Sequence, residues 1–241
     1  MDLIPQLRRA ILAQSLPPPS QTLLTTLTSR SPPPPIPSLL ATAKARLLAS
    51  DLTNPSGTVV DPSMPVFPPT LDSATVQEST ISQNTHVQVL DIENLSLSRW
   101  EQVEELEAIE RGERTRGRQV IRVTDEENGE ADGSAEQTQA SRAGAAASGV
   151  ANAVHRLVLQ DGRGKKVFAV ELKRIGGIGI GKTYIGEKIL LRAGAVVARG
   201  TVLLTPETCT LLGGKIDAWH EAWMEGRLAR LRESVGADRP Q

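Results

Sequence analysis

The residues with the clearest chemical potential form a glycine-rich segment, residues 176–183, with the sequence GGIGIGKT. The spacing matches the G-x-x-x-x-G-K-T loop that binds nucleotide phosphates, in which backbone N–H groups hold the phosphates and a lysine, here Lys182, adds charge. Such a loop needs a helix directly after it, because the helix N-terminus completes the phosphate site. Residues 184–191 instead contain a glycine followed by a strand-like run. We therefore predict a loop between strands, with nucleotide hydrolysis through Lys182 as an alternative.

No other group of residues has the spacing of a catalytic or metal site. His86, His155 and His220 are scattered, and no cluster of Cys, His and Asp has metal-ligand spacing. The single cysteine, Cys209, lies in an apolar pattern that predicts a buried thiol, and one cysteine is typical of a reducing compartment. We expect no enzyme activity, no metal and no cofactor.

The composition predicts a chain that is packed only in part. Apolar residues make up 39% of the sequence, below the ~45–50% of globular chains. No apolar run approaches the ~18 residues that a membrane span needs, and residues 1–14 lack a signal-peptide core. We expect a soluble, intracellular protein without membrane contact.

Charge divides the second half of the chain into two parts. Residues 86–152 contain 7 basic and 14 acidic side chains, a net charge of −7, whereas residues 153–214 contain 10 basic and 4 acidic side chains, a net charge of +6. An acidic and a basic segment predict distinct surfaces for distinct partners.

Three short amphipathic patterns open the chain and predict a helical cap over residues 1–53. The first lies near residues 3–14, the second follows Ser20 as its N-cap, and the third begins near residue 37. None is long enough to be stable alone, so the three must pack together. A proline-containing, extended linker is expected at residues 54–84.

Short apolar runs separated by turn signals predict five strands. They are residues 86–95, 154–160, 166–174, 188–197 and 201–205. Five strands with one oversized loop predict a small OB-type (oligonucleotide/oligosaccharide-binding) barrel over residues 85–214. In the third strand, Phe168, Val170 and Leu172 share a face, and we assign Phe168 to the core. A helix over residues 216–231, within a terminal segment 215–241, is expected to pack Trp219 and Trp223 on the barrel.

The oversized loop is an insertion of 57 residues, 96–152. Loops beyond ~12–15 residues are uncommon and are usually functional or disordered. Ser98 and Glu101 form a capping box that predicts a helix, along which apolar residues recur every third position. Residues 124–151, acidic and then rich in alanine, glycine and serine, predict a disordered spacer.

Direct nucleic-acid binding by the barrel is a further alternative. An OB barrel that holds single strands combines a basic groove with aromatic stacking platforms. Only Phe168 and Tyr184 are aromatic within residues 154–214, so we predict weak, salt-sensitive binding at most. Candidate weak DNA contacts are Arg163, Lys165, Lys166, Lys173, Arg174 and Lys182.

The order of these parts resembles the N-terminal domain of the RecQ-mediated genome instability protein 1 family, over roughly residues 20–232. The residues that carry the resemblance are VLDI at 89–92, LVLQDG at 157–162, GTVLLTPE at 200–207 and LLGGKI at 211–216. Where the family has a proline-containing loop, this chain has the glycine-rich residues 175–186.

The resemblance implies a non-catalytic nuclear subunit that binds topoisomerase III and, through it, a RecQ-family helicase. In that family the insertion loop reaches the DNA gate of the topoisomerase and favours decatenation and dissolution of double Holliday junctions, in DNA repair, homologous recombination and replication. The candidate partner contacts carried onto this chain are Trp100, Val103, Leu106, Ile109, Arg111, Arg114 and Arg116. An apolar stripe on an insertion must also be buried somewhere, and aromatic and arginine residues are typical hot spots. The alternative is that this helix folds back on its own barrel.

Overall fold

The computed structural model of the chain describes residues 3–29, 31–32, 34–53, 56–112 and 153–237. The chain divides into two compact units, the first containing Met1–Glu93 and His155–Glu225 and the second containing Asn94–Val154 and Gly226–Gln241. The helices are α1 Leu3–Ala13, α2 Gln21–Thr28, α3 Ile36–Ala49, α4 Arg99–Glu110, α5 Asp217–Glu225 and α6 Arg227–Ala237. The strands are β1 Glu78–Thr80, β2 Thr85–Asn94, β3 His155–Asp161, β4 Lys166–Glu171, β5 Lys188–Leu191, β6 Val196–Ala198, β7 Thr201–Leu204 and β8 Cys209–Gly213.

The first three helices pack together around a leucine-rich cluster, as the sequence predicts. The Ser20 side chain caps α2 by accepting a hydrogen bond of 3.0 Å from the backbone N–H of Leu23. Val60 and Met64, which follow the helices, are buried in the same cluster. Because helices of this length are marginal alone, this shared burial is what stabilises them.

The sheet topology confirms the OB-type barrel and extends it from the five expected strands to eight. The strand order is β1-β6-β7-β4-β3-β2-β5-β8, with β4 and β7 parallel. Only residues 192–195 connect β5 to β6, yet β7, β4, β3 and β2 lie between them in the sheet. A connection that short can join them only because the sheet curls on itself, which is how a barrel closes.

The same closure overturns the prediction of one strand over residues 188–197. The first part, β5, pairs with β2, whereas the second part, β6, pairs with β7. Between them the chain turns, with the N–H of Ala195 donating to the carbonyl of Arg192 over 3.2 Å. The strands β1 and β8 were not predicted; β1 is three polar residues long and has no apolar alternation.

The face assigned to the core in β4 is also wrong. Val167, Ala169 and Glu171 point inward and are buried, whereas Phe168 points outward and is 49% exposed. Both faces of this strand carry apolar residues, so alternation alone does not distinguish them. The larger side chains suggested the wrong face, because the inward glutamate is a less obvious core residue.

The C-terminal helical region packs its tryptophans on the barrel as expected but is not one helix. Trp223 is buried in the barrel core, and its Nε1–H donates to Asp91 Oδ1 over 2.6 Å. Trp219 packs against the same cluster. The expected helix over residues 216–231 is instead α5 and α6, and Gly226 separates them.

A buried lysine joins the helical cap to the barrel within the first unit. The Lys188 side chain has no exposed surface, and its Nζ donates to the carbonyls of Leu48, at 3.3 Å, and of Gly186. Burial lowers the pKa of Lys188 to about 8, against the opposing attraction of Asp51 and Glu187. An ammonium that links two segments through carbonyl groups is therefore held in a site that disfavours its charge.

Candidate functional site

The glycine-rich loop does not form a phosphate site. Thr183 is buried and its Oγ1 accepts a hydrogen bond of 3.1 Å from the N–H of Gly179, while the Ile178 side chain is buried in the barrel core. Lys182 is exposed, with its Nζ 3.4 Å from the carbonyl of Gly176. The next element along the chain is β5 rather than a helix, so no helix N-terminus is available for a phosphate. The geometry thus gives no support to nucleotide hydrolysis through Lys182.

A buried ion network holds this loop to the barrel. The Glu171 carboxylate lies 2.7 Å from His155 Nδ1 and accepts bonds of 2.8 and 3.0 Å from Arg174 Nη1. The same Arg174 nitrogen donates to the carbonyl of Ile178 over 2.8 Å, and Ile175 N–H donates to Glu171 Oε1 over 3.0 Å. Each carboxylate oxygen is therefore satisfied, as a buried charge requires. This network has a structural role, and the bonds of Arg174 within it make Arg174 a poor candidate for a DNA contact.

The remaining candidate DNA contacts differ in their exposure and in whether a carboxylate already pairs with them. Lys165 pairs with Asp72 over 2.7 Å, and Lys173 pairs with Glu207 over 3.0 Å. The candidates that are exposed and lie outside these ion pairs are Arg163, Lys166 and Lys182. The structure also adds two residues that the sequence did not place on the surface or assign a role, the outward-facing Phe168 and the exposed Leu172 that follows β4.

The first part of the insertion folds into α4, as the capping box predicts. The Glu101 N–H donates to Ser98 Oγ over 3.1 Å, and the Ser98 N–H donates to Glu101 Oε2 over 2.8 Å. In the second unit α4 packs against α6, and Arg232 Nη2 bonds Glu107 Oε1 over 2.7 Å. The insertion thus begins as a helix that already has a partner in its own chain.

This packing buries some of the residues that the sequence predicts as contacts with a partner protein. Val103 and Leu106 are buried, and Ile109 is half-buried. The stripe expected to bury in a partner protein is therefore largely covered in this chain, a possibility that the sequence left open. Arg111 follows the last turn of α4 and lies 3.8 Å from Glu107, while Arg114 and Arg116 lie outside the described residues.

The two ends of the insertion are tied together at its base. The Leu95 N–H donates to the carbonyl of Val154 over 2.9 Å, and the Val154 N–H donates to Ser96 Oγ over 2.9 Å. Gln102, a buried residue of α4, donates through Nε2 to the carbonyl of Asn94 over 3.0 Å. These bonds close the base of the insertion, which we call the neck.

Three apolar side chains at this neck remain exposed and form what we call the neck surface. Leu95 is 47% exposed, Trp100 is 52% exposed and Val154 is 39% exposed. The Trp100 Nε1–H donates to Glu104 Oε1 over 3.1 Å, which orients the indole ring. Leu95 and Val154 were missed in the sequence, although Leu95 directly precedes the predicted insertion and Val154 lies two residues after it.

A helical cap followed by an OB-type barrel with a tied insertion defines an OB-fold interaction protein. Within the described ranges no group of three or more His, Cys, Asp or Glu side chains could hold a metal, and no helix is long and apolar enough to cross a membrane. The family model "RMI1, N-terminal OB-fold domain" matches residues 67–227, and "RMI1, N-terminal helical domain" matches residues 11–55. The chain belongs to the RMI1 family, which confirms the resemblance.

A relative with a curated name agrees with this assignment. RecQ-mediated genome instability protein 1 of Schizosaccharomyces pombe is 30% identical over 158 residues, which cover 63% of this chain and 65% of the relative. The chain thus spans just under two thirds of that relative's length.

Proposed function

We propose that this chain is a non-catalytic scaffold subunit that binds topoisomerase III and, through it, a RecQ-family helicase. Membership of the RMI1 family supports a scaffold role in genome stability. In the proposal the complex acts in the nucleus, and the chain favours decatenation and dissolution of double Holliday junctions. The chemistry belongs to the partners, and this chain contributes docking surfaces and geometry.

The neck surface is the observation that carries the proposal. Leu95, Trp100 and Val154 expose apolar area at a base that backbone and side-chain hydrogen bonds hold closed. An oriented tryptophan loses little conformational entropy on binding, and tryptophan is enriched among the residues that dominate interface energies. We therefore assign Trp100 as the anchor for the topoisomerase.

The buried residues of α4 have a different role in this proposal. Val103 and Leu106 hold α4 against its own chain and so fix the direction in which the insertion departs. The direct contacts then come from Trp100 and from the arginines Arg111, Arg114 and Arg116. The remainder of the insertion regulates the DNA gate, with α4 as its rigid base.

The test is co-elution with the cognate topoisomerase III in size-exclusion chromatography, followed by affinity measurement. Truncation of a hot spot costs ~2 kcal/mol or more, so Trp100→Ala is expected to raise Kd by about 30-fold. Phe168→Leu is the matched control, because it alters an equally exposed aromatic residue of the other unit. Binding that is unchanged by Trp100→Ala would remove the neck surface from the proposal.

A second pair of variants separates docking from regulation. Replacing residues 97–152 by a short Gly-Ser link removes α4, whereas replacing residues 113–152 keeps α4 and its neck bonds. We expect the shorter replacement to retain co-elution and to alter decatenation, and the longer one to weaken both. Failure of the wild-type chain to co-elute at moderate salt would refute the proposal, and ATP hydrolysis abolished by Lys182→Ala would refute the non-catalytic role.

A further inference from the structure

The outer face of β3 and β4 presents an aromatic residue, Phe168, that its neighbours cover only in part. Phe168 lies opposite Val158 of β3 and Thr201 of β7 in the register, at the centre of three adjacent strands. Arg156 places its Cζ 5.0 Å from the centroid of the Phe168 ring, and its guanidinium also pairs with Glu93. Phe168 is 49% exposed, so part of its side chain remains accessible to a ligand.

The exposed charge of the barrel is positive, as its sequence indicates. Residues 153–214 contain 4 acidic side chains. Asp161, Glu171 and Glu187 are buried in the fold, and Glu207 pairs with Lys173. Most of the basic side chains stay on the surface, so this part of the chain presents cations that its own carboxylates do not neutralise.

The topology gathers three of these cations at one end of the Phe168 face. Arg163 lies in the turn between β3 and β4, Lys166 begins β4, and Arg199 precedes β7 by two residues. Because β7 runs parallel to β4 and β3 antiparallel to it, these positions share one end of the sheet. In the part of the chain that the structure describes, no carboxylate lies within ion-pair distance of them; we call these three residues the cationic end.

Two acidic residues border the cationic end and do not cancel it. Asp72 forms an ion pair with Lys165 over 2.7 Å, so its negative charge is already balanced. Glu78 of β1 lies opposite Ala198 at the outer edge of the sheet, and β6 and β7 lie between β1 and β4. The net charge beside Phe168 therefore remains positive.

We propose that this face binds single-stranded nucleic acid, with a base stacked on Phe168 and phosphates on the cationic end. Stacking needs an exposed aromatic ring and an unpaired base, and phosphate contacts need cations near the ring. This part of the barrel supplies the ring and the cations. Aromatic rings on the face of the second and third barrel strands, in a basic setting, are the usual means by which OB barrels hold such strands. This site belongs to the first unit, whereas the residues of the neck surface belong to the second.

The other exposed aromatic residue within residues 154–214, Tyr184, fits this ligand less well. Tyr184 packs edge-on against His220 with ring centroids 5.1 Å apart. The cation above its ring, Lys215, is paired with Asp217 over 2.6 Å, and Glu221 of α5 adds further negative charge to that region. Tyr184 is therefore the matched control for Phe168.

The experiment is fluorescence anisotropy with the full chain and a labelled oligothymidylate of about 20 nucleotides, longer than the ~4–16 that one OB barrel covers. Because Phe168→Leu removes one stacking contact, we expect it to raise Kd by about 5- to 150-fold. We expect Tyr184→Leu to change Kd by less than about 2-fold. Loss of one phosphate contact in Lys166→Ala lowers the slope of log K against log salt by about 0.7.

Each control outcome decides the proposal. Phe168 is half-exposed, so Phe168→Leu is expected to keep the wild-type circular dichroism and unfolding midpoint, which shows that lost binding is not lost folding. Equal affinity for a duplex of the same sequence would overturn the proposal, because paired bases cannot stack on the ring. Absence of binding at about 50 mM salt would also overturn it, and capture of an acidic peptide by the same face would assign the face to protein instead.

Discussion

Replacement of Lys188 by methionine tests whether the buried ammonium destabilises the fold. Lys188 has no exposed surface, and burial lowers its pKa from 10.5 to about 8. Methionine has a similar length and no charge, so Lys188→Met removes the titration and keeps the volume. The variant also removes the donor to the carbonyls of Leu48 and Gly186, a loss that does not depend on pH.

The sign of the pH effect follows from the two pKa values. Below about pH 8 the lysine of the wild type is protonated in both the folded and the unfolded chain, so the full cost of burying the charge is present. Between pH 8 and 10.5 the unfolded chain binds one proton more than the folded chain, and the free energy of unfolding rises by ~1.4 kcal/mol per pH unit. Over the whole interval this amounts to about 3 kcal/mol.

The assay compares urea unfolding of the two proteins between about pH 7 and pH 10. A Trp100→Phe background leaves Trp219 and Trp223, which pack on the barrel, as the fluorescent reporters. We expect the stability of Lys188→Met relative to the wild type to fall by about 2–3 kcal/mol across this range, while other titrating groups cancel in the difference. If the stability difference between the two proteins stays constant with pH within about 0.5 kcal/mol, the reasoning is refuted. The pKa of Lys188 would then be the same in the folded and the unfolded chain.

Two further stability predictions use contacts of the first unit and are measured by the same unfolding assay. Gly214 has a φ of +93°, and a Cβ there would lie 2.4 Å from the carbonyl oxygen of Leu48, whereas Gly213 has a φ of +81° and nothing within 4 Å of a Cβ. Gly213→Ala is expected to cost about 1–2 kcal/mol for the backbone alone, and Gly214→Ala at least ~1 kcal/mol more for the clash; equal costs would contradict the close approach. Glu171→Ala is expected to cost about 3 kcal/mol because Arg174 loses its buried partner, and a cost below ~1 kcal/mol would show that the ion network does not hold the loop.

The elements that could be predicted from sequence are those specified by local chemistry. Ser20 and Ser98 are N-caps in the sequence and in the structure, because a cap depends on residues within one turn. The barrel class followed from strand spacing and the oversized loop. The family followed from the short segments that surround those strands, and the matched ranges confirm it.

The features that the sequence did not reveal depend on distant parts of the chain. The division of residues 188–197 into β5 and β6 arises because the two halves pair with β2 and β7. Val103 of α4 is buried, and α4 packs against α6, a helix more than a hundred residues later in the chain. The outward position of Phe168 depends on the inward Glu171, whose charge is acceptable only because His155 and Arg174 reach it.

The phosphate-loop pattern of residues 176–183 has a structural cause that does not involve a nucleotide. The loop must bring Ile178 into the core beside Leu211, and a Cβ at Gly177 would lie 2.4 Å from Leu211 Cδ1. Close backbone approach selects glycine here, just as close approach to a pyrophosphate selects glycine in a nucleotide site. Lys182 and Thr183 complete the sequence pattern of a phosphate loop but do not form a phosphate site. The Thr183 hydroxyl is turned inward and accepts a hydrogen bond from the N–H of Gly179. What distinguishes the two cases is the element that follows, and here it is a strand of the barrel.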